Sequence, residues 1–91
     1  MKQVARSAGY LADLDAIERF IARSNPVAAS QLFDRIDDQV EQLADSNFPR
    51  RRGRVPGTFE LVVHKHYVVV FIETPTVVTA LNVIHTSRNY P

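Results

Sequence analysis

The chain has 91 residues, no cysteine and a formal net charge of +1. This length suits a single domain spanning residues 1–91, and the lack of cysteine excludes disulfides and thiolate zinc sites. No apolar run approaches the ~20 residues that a membrane-spanning helix needs, and no signal-peptide pattern follows Met1. We therefore expect a soluble cytoplasmic protein without a membrane partner.

The small net charge conceals a separation of charge along the chain. Most acidic residues fall within residues 11–45, whereas most basic residues lie outside that segment. A separation of this kind creates local fields that the net charge does not reveal. The acidic residues of the segment are Asp13, Asp15, Glu18, Asp34, Asp37, Asp38, Glu41 and Asp45.

The N-terminal half is predicted to form a short strand and two helices. Residues 2–6 are read as an edge strand, and Ser7 is a typical N-cap for a helix that begins near Ala8. Asn25 and Pro26 suit the N-cap and the first position of a second helix, which is predicted to run to about Ala44. Two amphipathic helices joined by a tight turn form an antiparallel hairpin.

Helical spacing of apolar residues predicts the buried face of each helix. We expect the acidic residues of both helices to lie on the outer faces, in solvent. The apolar stripe of the first helix is Leu11, Leu14, Ile17, Phe20 and Ile21, and that of the second is Ala29, Leu32, Phe33, Ile36, Val40 and Leu43. The predicted core members are Leu14, Ile17, Ile21, Leu32, Ile36, Val40 and Leu43.

The C-terminal third contains three runs rich in Val, Ile, Phe and Tyr, which are typical of strands. They span residues 59–63, 67–72 and 77–84. The links between them are so short that neighbouring strands must be antiparallel. Residues 48–53 are predicted to form a loop. The sequence thus predicts an α+β fold in the order β-α-α-β-β-β, with a helical hairpin packed on a small antiparallel sheet.

An arginine-rich loop is the first candidate for a binding site. Arg50, Arg51 and Arg52 are consecutive, and Arg54 follows closely. Arginine forms bidentate bonds with phosphate and carboxylate, so this basic patch could meet nucleic acid or an acidic protein segment. The alternative is a solvated loop that only aids solubility.

Histidines provide the second group of candidates. His85 ends the last predicted strand, where it could act as an acid or base or simply pack at the sheet edge. His64 and His66 flank Lys65 in a predicted turn, and no third ligand with suitable spacing accompanies them. We expect an exposed turn there, with neither a metal site nor a cofactor.

The order and spacing of short motifs resemble the RelE/ParE superfamily of bacterial type II toxins over nearly the whole chain. The resemblance implies the same β-α-α-β-β-β order and a true strand at residues 2–6. It also implies neutralisation by an antitoxin encoded beside the toxin. The matching pieces are Asp13-Leu14 with Ile17, Asn25-Pro26 with Ala28-Ala29, Gly53-Arg54, Gly57-Thr58 with Glu60 to Val63, Tyr67 to Val70, and Val83-Ile84-His85 with Arg88 and Tyr90-Pro91.

Two branches of this superfamily act differently. RelE-like members cut mRNA on the ribosome with basic residues on the strand that opens the meander and just after the tyrosine of the next strand. The corresponding residues here are Phe59, Leu61 and Val68, which are apolar. Cleavage of RNA needs charge stabilisation and a proton acceptor, and apolar side chains supply neither. If the chain is an enzyme, it is a ribosome-dependent endoribonuclease.

The ending from His85 to Pro91 is more similar to ParE-like members, which inhibit DNA gyrase by binding. The resemblance then implies no catalytic residues and a target-binding surface of Arg54, His85, Arg88 and Tyr90. We expect Arg54, His85 and Arg88 to share one rim of the sheet. Phe59 departs from the arginine that relatives often carry, so a degenerate domain that only binds its partner stays an alternative.

The same branch implies the partners. A ParD-like antitoxin is expected to wrap the toxin with its C-terminal segment, along the helical hairpin and the sheet edge, in a hetero-oligomer. DNA gyrase is the expected target. The toxin alone is not expected to bind DNA sequence-specifically.

Overall fold

Two helices cover one face of a five-stranded sheet. The computed structural model describes residues 1–87, and no helix among them is both long and apolar enough to cross a membrane. The predicted α+β class and element order are confirmed, with one added short strand. The elements are β1 (Gln3–Arg6), α1 (Ala8–Ala22), α2 (Pro26–Glu41), a 3₁₀ turn (Gln42–Ala44), β2 (Arg51–Arg52), β3 (Phe59–His64), β4 (Tyr67–Glu73) and β5 (Val77–His85).

The sheet is mixed, with the strand order β1-β5-β4-β3-β2. Strands β3, β4 and β5 form the predicted antiparallel meander, and β2 adds to the free side of β3. Strand β1 pairs with β5 in parallel, so the expectation of a wholly antiparallel sheet is wrong. The reason is that the helical hairpin and strands β2, β3 and β4 separate β1 from β5 along the chain, so no tight turn fixes their relative direction.

Both helices begin where the sequence predicts. The Ser7 hydroxyl accepts a hydrogen bond from the Tyr10 backbone N–H at 3.1 Å, and the Asn25 side chain accepts one from the Ala28 N–H at 3.0 Å. Pro26 occupies the first turn of α2, where its missing N–H leaves no intrahelical bond unmade. The second helix ends in the 3₁₀ turn, which reaches the predicted end at Ala44.

The core lies between the helices and the covered face of the sheet. The predicted core residues Leu14, Ile36, Val40 and Leu43 are confirmed, whereas Ile17 and Leu32 pack at its margin and Ile21 is only partly buried. The core cluster is Tyr10, Leu14, Ile36, Val40, Leu43, Leu61, Val63, Val69, Phe71, Val78, Ala80 and Val83.

Two members of the stripe predicted for α1 are not buried. Leu11 is 50% exposed and Phe20 is 68% exposed. Successive helical residues are about 100° apart, so these two side chains lie on opposite borders of the face centred on Tyr10 and Leu14. The sheet covers only the centre of that face, and both borders therefore reach solvent.

Two acidic residues expected in solvent hold the fold together. Asp37 accepts hydrogen bonds from the Arg6 guanidinium at 2.8 Å and from the Tyr10 hydroxyl at 2.9 Å, which joins β1 and α1 to α2. Burial and the hydrogen bond to Asp37 raise the pKa of Tyr10 above its usual value. Asp13 accepts hydrogen bonds from the Val83 N–H and the Asn82 side chain, both at 3.0 Å, and so anchors α1 to β5.

Candidate partner-binding site

Arg50 is a structural residue. Its side chain is 12% exposed, and its guanidinium forms an ion pair of 3.2 Å with Glu73 of β4. It also donates to the Leu43 carbonyl at 2.6 Å. Lys2 pairs with the same carboxylate at 2.6 Å. Arg50 thus ties the end of the helical hairpin to the sheet.

Glu60 holds the next part of the arginine-rich segment. Its side chain is 2% exposed, and its carboxylate accepts from Arg51 at 2.7 Å and from the Arg54 backbone N–H at 3.0 Å. The Arg54 guanidinium lies 3.8 Å from the same carboxylate. Burial alone would raise the pKa of Glu60, but these donors outweigh it and hold the pKa below its usual value. Arg51 and Arg54 thus stabilise the buried carboxylate of Glu60, while Arg52 is exposed.

The lowered pKa of Glu60 predicts acid sensitivity that depends on this residue. Its contribution to stability is fully present above the unfolded pKa of about 4.3 and is lost as pH falls through the lower folded pKa. Glu60→Gln should therefore be less stable at neutral pH but lose less stability on acidification. Urea denaturation at a series of pH values measures both. The exposed Asp34→Asn is the control, and an equal acid slope in Glu60→Gln and wild type would contradict the assignment.

Arg54 and His85, the two predicted target-binding residues within the described part of the chain, do not share one rim. In the register of the sheet, Tyr67 of β4 lies between His85 of β5 and His64 of β3, at the turn end of the β3–β4 hairpin. Arg54 contacts Glu60 near the start of β3, at the opposite end. The expectation that Arg54 and His85 lie together is wrong, because two successive antiparallel reversals bring the end of β5 back to the far end of β3. Arg88 and Tyr90 lie outside the described residues.

Three histidines gather at the His85 end. We call His64, His66 and His85 the imidazole cluster. The ring centroids of His64 and His66 are 5.6 Å apart, as are those of His66 and His85, whose planes differ by only 5°. The ring of Tyr67 meets His85 edge-on at 5.2 Å and lies 5.9 Å from His64. No group of potential metal ligands large enough to hold an ion occurs within residues 1–87.

A groove of about 480 Å³ opens beside the imidazole cluster, between α1 and the adjoining ends of β4 and β5. The exposed Phe20 lines it together with Ile17, Val83 and the ring of Tyr67, so it offers apolar surface to a partner. We call it the α1 groove. Its lining residues are Asp13, Ala16, Ile17, Phe20, Tyr67, Val83, His85 and Ser87.

The positions that would carry a nuclease's basic groups are built into the sheet. Leu61 is 7% exposed and Val68 is 5% exposed, while Phe59 stacks on Phe71 with ring centroids 5.6 Å apart. Apolar side chains in these places pack against neighbouring strands and present no proton acceptor.

Sequence reasoning missed two features of this end of the molecule. The predicted apolar stripe of α1 includes Phe20, which is exposed, and the contact of His66 with His85 was not predicted. The contact of His66 with His85 had a usable signal in the sequence, because the hairpin register places Tyr67 opposite His85 and brings the turn histidines close to His85. The exposure of Phe20 had no such signal, since the spacing of apolar residues does not reveal how much of a helix face the sheet covers.

Comparison with known proteins places the chain in a family. Residues 4–90 match the family model of the ParE toxin of type II toxin-antitoxin system, parDE. The Sinorhizobium fredii protein Y4kP, whose name describes it as a candidate toxin, is 29% identical over 90 residues, which are 99% of this chain and 94% of that protein.

Two solved structures share the fold. A chain of the chromosomal ParDE TA system from P. aeruginosa has a TM-score of 0.83 and 22% identity, covering 93% of this chain and 96% of that one. A mutant of YafQ from E. coli has a TM-score of 0.66 and 10% identity, covering 96% of each chain. Since the family model matches nearly every residue, the chain belongs to the ParE toxin family of type II toxin-antitoxin systems.

Proposed function

We propose that this ParE-family toxin inhibits DNA gyrase by binding and is not a ribonuclease. The observation that carries the proposal is that Leu61 and Val68 are buried and Phe59 stacks on Phe71. The strand positions where a RelE-like nuclease would carry basic groups therefore hold packed apolar side chains. Family membership supports an inhibitor of ParE type. The toxin then works in the cytoplasm, where its target is found, and uses no cofactor.

A ParD-like antitoxin neutralises the toxin in a hetero-oligomeric complex. A chain of a ParDE toxin-antitoxin system shares this fold, which supports such a partner. We place the antitoxin's C-terminal segment in the α1 groove, because Phe20 is 68% exposed there beside Ile17 and Val83. A segment that folds on binding can cover such a groove and continue along the helical hairpin.

The target surface is proposed at the end of the sheet that carries His85. Arg88 and Tyr90 follow closely in sequence and remain expected members of it. Arg54 lies at the opposite end and supports Glu60, so a contact between Arg54 and gyrase would require a partner that spans the sheet. The basic patch of Arg50, Arg51 and Arg52 contributes mainly to the fold, through the ion pairs of its first two members.

Purified toxin should stop DNA supercoiling by bacterial gyrase and leave mRNA intact on programmed ribosomes. Arg88→Ala should raise the concentration needed for inhibition by roughly ten-fold or more, as expected for loss of an interface arginine. Arg52→Ala is the matched control, because Arg52 is exposed and lies at the end of the sheet away from His85. A supercoiling assay on relaxed plasmid measures the effect, with circular dichroism to verify folding.

The outcomes separate the alternatives. Cleavage of ribosome-bound mRNA would replace the gyrase proposal with a nuclease of RelE type. Antitoxin binding with neither gyrase inhibition nor mRNA cleavage would identify a degenerate domain that only binds its partner. Inhibition of gyrase that the antitoxin reverses would support both parts of the proposal.

A further inference from the structure

Four basic residues within residues 1–87 form no ion pair with a carboxylate, and two of them, Lys65 and Arg35, lie at the imidazole cluster, while the other two, Arg23 and Arg52, lie apart from it. Lys65 lies at the hairpin turn, and Arg35 of α2 lines a second groove of about 390 Å³ with His64, His66 and Tyr67. The paired bases are Lys2, Arg6, Arg19, Arg50 and Arg51, and Arg54 lies beside Glu60.

The local hydrogen bonds fix which ring nitrogens carry protons. The His66 backbone N–H donates to His64 Nδ1 at 3.1 Å, and the Ser87 N–H donates to His85 Nδ1 at 3.2 Å, with the Ser87 hydroxyl at 2.7 Å from the same atom. Each neutral ring therefore carries its proton on Nε2 and presents that atom as a donor. Neither Nε2 atom has a hydrogen-bond partner among the described residues.

The cluster is held in place by the backbone. The Thr86 N–H donates to the His66 carbonyl at 2.8 Å, which fastens the end of β5 to the hairpin turn. The side chains of His66 and His85 stack across this link, so the donors of two separate segments lie side by side. Preorganised donors bind an anion with less loss of conformational entropy than flexible ones.

We propose that the imidazole cluster, with Lys65 and Arg35, binds the carboxylates of an acidic peptide segment and holds that segment more tightly as the pH falls. Within residues 1–87 no carboxylate forms an ion pair or hydrogen bond with these donors, so they are available to an external anion. Binding here goes beyond gyrase inhibition and does not depend on it.

The surroundings favour a peptide over a nucleic acid. The grooves on either side of Tyr67 have apolar walls, formed by Ile17 and Phe20 in one and by Ile21 and Leu32 in the other. A peptide that alternates acidic and apolar side chains matches both features. The sugar-phosphate backbone of a nucleic acid carries no apolar side chains that would contact these walls.

Protonation links the binding to pH. Partial burial, Arg35, His66 and Lys65 all disfavour the charged ring of His64 and lower its pKa. Two other titratable groups face the cluster. Tyr67 contacts it from β4, and Asp13 of α1 lines the α1 groove with His85 and accepts a hydrogen bond from the Val83 N–H of β5. A bound carboxylate offsets this repulsion at His64, so binding favours protonation of that ring and affinity rises as pH falls.

Titration of the full chain with hexaglutamate, followed by NMR, tests the proposal. The resonances of His64, His66 and His85 should shift, and the dissociation constant should be about five-fold or more lower at about pH 6 than at about pH 8. His64→Gln, which removes the ring whose pKa is lowered, should lose most of this pH dependence. Arg52→Gln, a change of charge at the other end of the sheet, should bind like wild type.

Three results would overturn the proposal. The first is equal affinity at both pH values, and the second is binding that Arg52→Gln weakens but His64→Gln does not. The third is tighter binding of a hexathymidine oligonucleotide at the same resonances, which would assign the site to nucleic acid. Failure of gyrase inhibition would leave each of these readouts unchanged, so the two proposals are tested separately.

Discussion

Replacement of Ile36 by Ala should lower the free energy of unfolding by about 2–5 kcal/mol. Ile36 is fully buried at the centre of the core, on the face of α2 that meets the sheet. The truncation removes apolar contacts and leaves a cavity that the surrounding side chains fill only in part. A domain of this size has a small free energy of unfolding, so the midpoint of urea denaturation should shift clearly to a lower urea concentration.

Leu11→Ala is the matched control for this prediction. Leu11 is 50% exposed on the border of α1, and surface substitutions of this kind usually change stability by no more than about 0.5 kcal/mol. Equal losses in the two variants would show that the change acts through helix propensity or the unfolded state. A loss below about 0.5 kcal/mol in Ile36→Ala would remove this face of α2 from the core.

The helices and the meander could be predicted because local chemistry determines them. Ser7 and Asn25 cap their helices through hydrogen bonds to residues three positions further on, which the sequence displays directly. The short links of the meander likewise allow only antiparallel neighbours. Strand β1 could not be oriented in this way, because its parallel partner β5 is remote in sequence and no local signal specifies the pairing.

The charges could not be assigned from the sequence, since their partners are distant along the chain. Lys2 and Arg50 meet at Glu73, and Arg51 and Arg54 meet at Glu60. A run of arginines therefore reads as a binding patch although carboxylates within the fold already hold most of its members. Ion pairs of this type form only when register and packing are established, and neither is visible in the arginine run.

The imidazole cluster illustrates the opposite case. Taken one at a time, the sequence predicts an exposed turn for His64 and His66 and a position at the end of the last strand for His85. Strand register brings them together, and the same register separates His85 from Arg54. The candidate site therefore lies at the end of the sheet away from the arginine-rich segment, where hydrogen-bond donors and grooves with apolar walls occur together.

Phe20→Asp should weaken binding of the cognate antitoxin by roughly 100-fold, the loss expected for a central aromatic anchor. Phe20 is 68% exposed, yet it lines the α1 groove beside Ile17 and Val83, so an apolar partner side chain would bury it. A carboxylate in that position must be desolvated without a partner, which adds to the lost contact. Biolayer interferometry with immobilised antitoxin measures the change.

Leu11→Asp is the control, because Leu11 is an exposed apolar residue of the same helix on the border away from the groove. It should bind the antitoxin like wild type, and both variants should retain the helical circular dichroism of the parent. An equal loss of affinity in the two variants would mean that the antitoxin covers α1 as a whole. Wild-type affinity in Phe20→Asp would exclude the α1 groove as the antitoxin site, whatever the outcome of the gyrase assay.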